Sequence, residues 1–369
     1  MMTAFPYLSE AFMRNRLALP SHNPRVVIDT DTANEIDDQF ALAWALLSQD
    51  CLRIEGVYAE PFSFRHRLGE MKRARIARDT PDLATPLDHE MLQGYSGMLA
   101  YYEARGYDLD TVDLLPFNPP GVGMERSYAE ILKVFELMRE PVNNRVFRGV
   151  AGYLEAAVKP IRCDAVEHLI ERALVSPDDD PLYVVAIGCL TNVGSALLLA
   201  PEIIRKIVVI WTAGYPSSVS RTNFSLNLEQ DMIASKLLFE SGVPLIYQPG
   251  FHVGAQLRLS LPEMEAYVRG RGAIGDYLYH LYTNNPLWDM LGITSTYSYT
   301  WVIWDVITIA WLLNPRWVPS DFVPAPMLGD DRRWYNNAGR HLMREAYDVQ
   351  RDAIFADFFR KLEQHASHP

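Results

Sequence analysis

The sequence predicts one α/β domain over residues 1–369, an open and mostly parallel sheet flanked by helices. Three observations carry this. The runs at 26–28, 181–188 and 206–211 are apolar without alternation, as strands buried on both faces are. Helical periodicity follows the first of them, where Phe40, Leu42, Ala43, Leu46 and Leu47 recur on one face. Strands and helices then alternate at the cadence of a parallel sheet covered on both sides. A hydrophobic fraction of 49% supplies a sizeable core.

In chain order, residues 1–24 read as a short helix and a proline-containing lead-in to the first strand. Residues 52–59 form the second strand, which Glu60-Pro61-Phe62 ends. Residues 64–122 read as an irregular inserted region, with one helix at 92–105 and a stretch at 116–121 too rich in turn residues for regular structure. This insert is either a solvated excursion or a lid over whatever lies at the end of strand two. Helices are expected at 124–138 and 165–174, a strand at 181–188, and a helix around 196–199. A strand at 206–211, a helix at 231–240 and a strand at 243–247 follow. From residue 250 the chain reads as mainly helical, with 301–313 its most buried helix. An amphipathic helix at 348–363 carries Ile354, Phe355, Phe358, Phe359 and Leu362.

A net charge of -12 argues against nucleic acid and anionic membranes as partners, since both need a basic face. A small neutral or weakly polar ligand fits better than a polyphosphate. Three cysteines, Cys51, Cys163 and Cys189, without a CxxC spacing read as reduced thiols of a cytoplasmic protein. The N-terminal residues lack the basic start and apolar core of a cleaved signal. The apolar run at 301–313 contains Asp305 and is shorter than the roughly 20 residues a bilayer span needs.

Chemistry concentrates in residues 25–49, where Asp29, Asp31, Asp37 and Asp38 occupy the turn between the first strand and its helix. In open α/β sheets, ligands bind beyond the carboxyl ends of the strands. Four like charges there are unfavourable without a cation or many donors. Helix capping explains one or two of them, not four. An all-oxygen set suits Ca²⁺ or Mg²⁺ and not Zn²⁺. Asp305, on an apolar helix between Trp304 and Val306, is a further candidate ligand, because a buried unpaired carboxylate is costly.

Asp29-Thr30-Asp31 is compatible with the DxD of haloacid-dehalogenase-type phosphatases. It also resembles the DxDxGxDD hallmark of the inosine/uridine-preferring nucleoside hydrolases, with a gap two residues longer (TANEI) and no glycine. Later stretches favour the second family. Residues 184–192, VVAIGCLTN, are similar to its strand ending in GPLTN or GGLTN; 208–215, VVIWTAGY, resemble its strand ending in Met-Gly-Gly. Residues 227–231, NLEQD, are similar to its FN-x-x-x-D, and Trp304-Asp305 falls where it has His-Asp. The resemblance spans about residues 25–60, 124–313 and the last helix.

This resemblance implies a calcium-dependent hydrolase of N-ribosides. It implies Asp31, Asp38, Asp305 and the main-chain carbonyl of Ile187 as calcium ligands, and Asp37 as the base toward a cation-polarised water. It also implies that Asn227, with Asp29 and Asp31 nearby, meets the ribose hydroxyls; Trp211 and Trp304 read either as core residues or as a surface that stacks on the base in place of the missing His. A homodimer or homotetramer is also implied. Three positions depart from the family pattern: Trp304 replaces His, Ser225 replaces a Glu two residues before Asn227, and Glu60-Pro61-Phe62-Ser63 stands where a Gly-Asn is usual. These departures keep two alternatives open, a non-catalytic ribose or nucleoside binder on the same fold and a Mg²⁺ phosphatase with Asp29 as nucleophile.

Overall fold

The computed structural model describes residues 5–20, 23–285, 287 and 299–367. Parts of the expected lead-in (1–4 and 21–22) and of the C-terminal region (286 and 288–298) lie outside these residues. Strands β1 (Arg25–Thr30), β2 (Arg53–Ala59), β3 (Val146–Arg148), β4 (Leu182–Ala186), β5 (Ile207–Ala213) and β6 (Leu245–Pro249) build the parallel part of the sheet. Next come the ribbon strands β7 (Arg258–Ser260) and β8 (Thr300–Val302), then β9 (Ser320–Pro324), β10 (Met327–Leu328), β11 (Trp334–Tyr335) and β12 (Leu342–Ala346). The eight-stranded sheet runs β3-β2-β1-β4-β5-β6-β12-β9 and is parallel except where β9 pairs antiparallel with β12. Every residue of β1, β4, β5 and β6 is buried, which is why their sequences carry no alternation.

Helices α1 (Glu10–Arg16) and α2 (Asp37–Leu46) fall where the periodicity puts them. The insert differs from expectation. It folds as two helices, α3 (His66–Asp79) and α4 (Pro86–Ala104), packed against each other, and α5 (Pro120–Leu137) begins inside the stretch expected to be irregular. Local chemistry accounts for this. Thr85 and Asp88 form a capping box ahead of α4, and Pro86 and Pro120 sit in first turns, where a missing N–H costs nothing. The hairpin has its own apolar cluster, including Met71, Met91, Tyr95, Leu99 and Tyr102, separate from the main core.

The hairpin is fixed to the body by charge. The buried carboxylate of Glu229 accepts from Arg332 at 2.9 Å, His66 at 3.0 Å and Arg67 at 3.3 Å. Its ends meet at the base, where Ser63 Oγ donates to the Asn118 carbonyl at 2.7 Å and Phe64 N to the Pro116 carbonyl at 2.9 Å.

Helices α6 (Asp164–Leu174), α7 (Thr191–Leu199), α8 (Leu226–Glu229) and α9 (Met232–Ser241) lie between the later strands. The region after residue 250 is not mainly helical, since it supplies β7 to β12 alongside α10 (Leu261–Glu263) and α11 (Gly272–Thr283). The helix expected over 301–313 is α12 (Val306–Leu313), with Trp301 on β8 instead. The last helix is α13 (Arg351–Ser367). No helix among the described residues is long and apolar enough to cross a membrane.

Candidate active site

Strand register brings the chemistry to one edge of the sheet. Asp29 pairs with Ala186, Ala186 with Trp211, and Ala213 with Pro249, so the carboxyl ends of β1, β4, β5 and β6 finish close together. The loops beyond them stay laced to the strands: Ile187 N donates to the Asp29 carbonyl at 2.9 Å and Glu60 N to the Thr30 carbonyl at 2.8 Å. A cavity of about 390 Å³ opens over these ends, lined by Asp31, Glu35, Asp37, Asp38 and Asp305, with the rings of Phe64, Phe224, Phe251, Trp301 and Trp304 also on its wall.

Asp37 and Asp38 open α2, where the helix dipole favours negative charge, and Asp305 stands at the N-cap position of α12 without a capping bond from its side chain. Carboxylate oxygens of these three lie within 4.8 Å of one another. Thr30 Oγ1 donates to Asp38 Oδ1 at 2.5 Å. Asp31, expected as a ligand, stands beside this trio, and Asp37, expected as the base, belongs to it. Asp31 Oδ1 is buried with no partner among the described residues, while Oδ2 accepts weakly from Gln230 Nε2 at 3.4 Å. Burial pushes the Asp31 carboxyl up to about 7, against hydrogen bonds from Asn34 and Gln230 and with a smaller push from the Asp37 charge. Burial likewise raises Asp37 to about 6, and it raises Asp38 and Asp305 well above the usual range, with like charges adding to the effect. An orphaned buried oxygen and an all-oxygen cluster that resists ionising on its own fit a hard divalent cation.

The carbonyl of Ile187 lines the cavity and accepts from Asn227 Nδ2 at 3.0 Å, which leaves it a second lone pair. Asn227 also donates to the Thr212 carbonyl at 3.1 Å, so its amide ties the ends of β4 and β5 together. Trp304 lies on the cavity wall, edge-on to Phe251 with centroids 6.0 Å apart.

Two expected contacts fall elsewhere. Trp211 is fully buried, donates to the Gly188 carbonyl at 3.1 Å and packs on Phe239 and Tyr247, so it is a core residue and not a stacking surface. A bulky residue within an all-buried strand has no route to the cavity. Asp29 is also fully buried beneath the floor, where Oδ1 accepts from Asn192 Nδ2 at 2.8 Å. It does not line the cavity, which removes both the ribose contact and the phosphatase nucleophile.

Residues that the sequence reading passed over complete the site. Glu60 is fully buried beside Asp29 and Asp31, and neither of its oxygens has a partner among the described residues. Its place just past the carboxyl end of β2 was the available signal. Asn192 holds Asp29 from the first turn of α7. Glu35, in the lengthened loop between Asp31 and Asp37, lines the cavity and accepts from Trp301 Nε1 at 3.0 Å.

Comparison with known proteins agrees with this architecture. The sequence profile described as inosine-uridine preferring nucleoside hydrolase matches residues 80–355, beginning after the aspartate loop. The pyrimidine-specific ribonucleoside hydrolase RihA of Enterobacter sp. (strain 638) is 28% identical over 181 residues, 44% of this chain and 54% of that protein. The chain thus spans about half the length of the curated relatives it matches. Among solved structures, the purine-preferring ribonucleoside hydrolase from Gardnerella vaginalis superposes with a TM-score of 0.61 at 17% identity, over 94% of this chain and 100% of that one. The inosine-uridine preferring nucleoside hydrolase from Bacillus anthracis gives 0.56 at 18% identity, over 92% and 99%. At such identities the likeness is one of fold.

Proposed function

This chain belongs to the inosine-uridine preferring nucleoside hydrolase family, and on that premise we propose that it hydrolyses the N-glycosidic bond of a ribonucleoside or related N-riboside with a calcium ion. The observation that carries the proposal is the trio Asp37, Asp38 and Asp305 under an aromatic-walled cavity, with an unpartnered Asp31 oxygen beside it. The trio and the Ile187 carbonyl would hold the ion, and their oxygen donors suit calcium. When bound, the cation supplies positive charge that makes a water more acidic and attracts vicinal sugar hydroxyls.

The chain's own residues do the rest. In this reading Asp31 takes the attacking water's proton on Oδ1, and the lack of a partner for that oxygen supports exchanging the roles that the family resemblance suggests for Asp31 and Asp37. The bond from the anomeric carbon to nitrogen breaks through an oxocarbenium-like state, which the ring of carboxylates stabilises. Asn227 meets the sugar, Trp304 lies against the leaving base, and hairpin α3–α4 serves as a lid through Phe64 and Arg67.

The test is ribose release from a panel of purine and pyrimidine nucleosides, with calcium and with chelator. Both base classes are needed, because one relative is named pyrimidine-specific and another purine-preferring. Calcium-dependent release upholds the reading. No release, with calcium and nucleoside still bound, would make the protein a nucleoside binder on this fold. Sedimentation tests the proposed homodimer or homotetramer.

A further inference from the structure

Glu35 differs from the four aspartates of the cavity in how it is held. Asp37, Asp38 and Asp305 converge on one another, and Asp31 stands beside them at the end of β1. Glu35 is half-buried and is tethered across the cavity by the indole of Trp301, on the outer ribbon strand β8. The loop that carries it is fixed independently. Ala33 N and Asn34 N both donate to the Asp31 carbonyl, and Arg126 donates to the Ala33 carbonyl at 3.2 Å. This longer loop therefore puts a fifth carboxylate into the cavity, bonded to Trp301, and the cavity is also lined by the rings of Trp304 and Phe251.

Two cations also line the cavity; the charge of Arg67 acts on Glu35, but neither cation is ion-paired with it among the described residues. Arg67 is held by Glu229 and lies over the rings of Phe64 and Tyr95. Arg258 is exposed and reaches Thr300 Oγ1 at 3.5 Å. A carboxylate set among indole and phenyl rings is the arrangement that recognises an aromatic cation, since ring faces and carboxylate both attract positive charge.

Resting on the hydrolase reading above, we propose that the site takes an N-riboside whose leaving group is a positively charged aromatic ring, a pyridinium, and that Glu35, oriented by Trp301, is the residue that selects it. The chemistry balances without a proton donor. Water adds its oxygen to the anomeric carbon and gives its proton to Asp31. The C–N bond breaks with its electron pair going to the ring nitrogen, so the pyridinium departs as a neutral pyridine. Trp304 then suits the place beside Asp305, because that leaving group takes up no proton.

The test uses the full chain with saturating calcium. Binding of 1-methylnicotinamide, a pyridinium without sugar, is compared with binding of neutral nicotinamide by calorimetry. In parallel, kcat/KM for nicotinamide riboside is compared with that for uridine. We expect the cation to bind about tenfold or more tightly than the neutral ring, on the scale of a desolvated cation–π contact. Both ratios should fall toward one in Glu35→Gln and fall partly in Trp301→Phe, which keeps the ring and loses the hydrogen bond. Equal affinities, or variants that weaken both ligands alike, overturn the inference. Ribose release without preference overturns it alone and leaves the hydrolase reading standing. Glu35-dependent binding of the cation with no ribose release from any nucleoside overturns the hydrolase reading and upholds the cation site.

Discussion

Glu60 passes so close to Gly188 that a Cβ on the glycine would lie 2.2 Å from Glu60 Oε2 and 2.7 Å from Asp31 Cγ. The carboxylate floor is therefore assembled over a hydrogen atom. Gly188→Ala should push Glu60 and Asp31 apart and shift the adjoining Ile187 carbonyl, which the proposal counts among the ligands, lowering calcium affinity by about tenfold or more and activity with it, on the scale of lost support at metal sites. Gly97→Ala on α4, where an added Cβ meets nothing within 4 Å, is the control and should raise helix stability by roughly 0.5–1 kcal/mol. Calorimetry and thermal melts on both variants check this.

Asp31 and Asp37 separate by readout. With Asp31 as the base, Asp31→Asn should lose about 10²–10⁴-fold in kcat while calcium binding changes little. Asp37→Asn should weaken calcium binding first. The reverse pattern would give Asp37 the proton and return Asp31 to the ligands.

Chelation should expose the carboxylates' mutual cost. With no cation present, burial raises Asp29 to about 6, Asp37 to about 6 and Asp31 to about 7, from 3.8. Folded values above unfolded ones contribute stability that is complete below about 4 and is lost as pH rises toward 7. The chelated protein should therefore melt progressively lower between those values, and added calcium should remove that slope. A flat profile in chelator would count against the cluster's strain.

The hairpin's anchor has the opposite sign. Against the upward push of burial, the His66 hydrogen bond and the charges of His66, Arg67 and Arg332 hold the Glu229 carboxyl at about 2, below its usual 4.5. Its contribution is complete above about 4.5 and is lost as pH falls toward 2. Glu229→Ala leaves Arg67 and Arg332 without their shared partner and should cost about 3–5 kcal/mol in denaturant unfolding. Hydrogen exchange should then rise first in α3 and α4.

Much of the sheet could be read from sequence because β1, β4, β5 and β6 are buried on both faces, and burial of that kind leaves an uninterrupted apolar run. Asp37, Asp38 and Asp305 were visible because charge is conspicuous beside such runs. Glu60 stays hidden in the sequence because one acid after a strand looks like an end signal, and Glu35 because it sits in a loop that only lengthens the motif. Neither orphaned oxygens nor a tether from a tryptophan 266 positions away leaves a local trace. Trp211 shows the converse, since an indole at a strand end looks like a ligand surface until register turns it into the core. The insert's helices hid behind charged residues because their apolar faces pack on each other and not on the sheet.

That local packing makes the hairpin an exchangeable part. Its two ends leave the body side by side, joined by Ser63 to Asn118, and its apolar cluster meets the body through Phe224, Leu226 and Trp301 and not through the strands of the main sheet. A different segment spliced between those two residues would inherit the same doorway to the cavity. Phe64 and Arg67 are the insert's contribution to the lining, so specificity can drift there while the aspartates stay fixed. Selection can thus act on the cover and the catalyst as two separate inheritances within one chain.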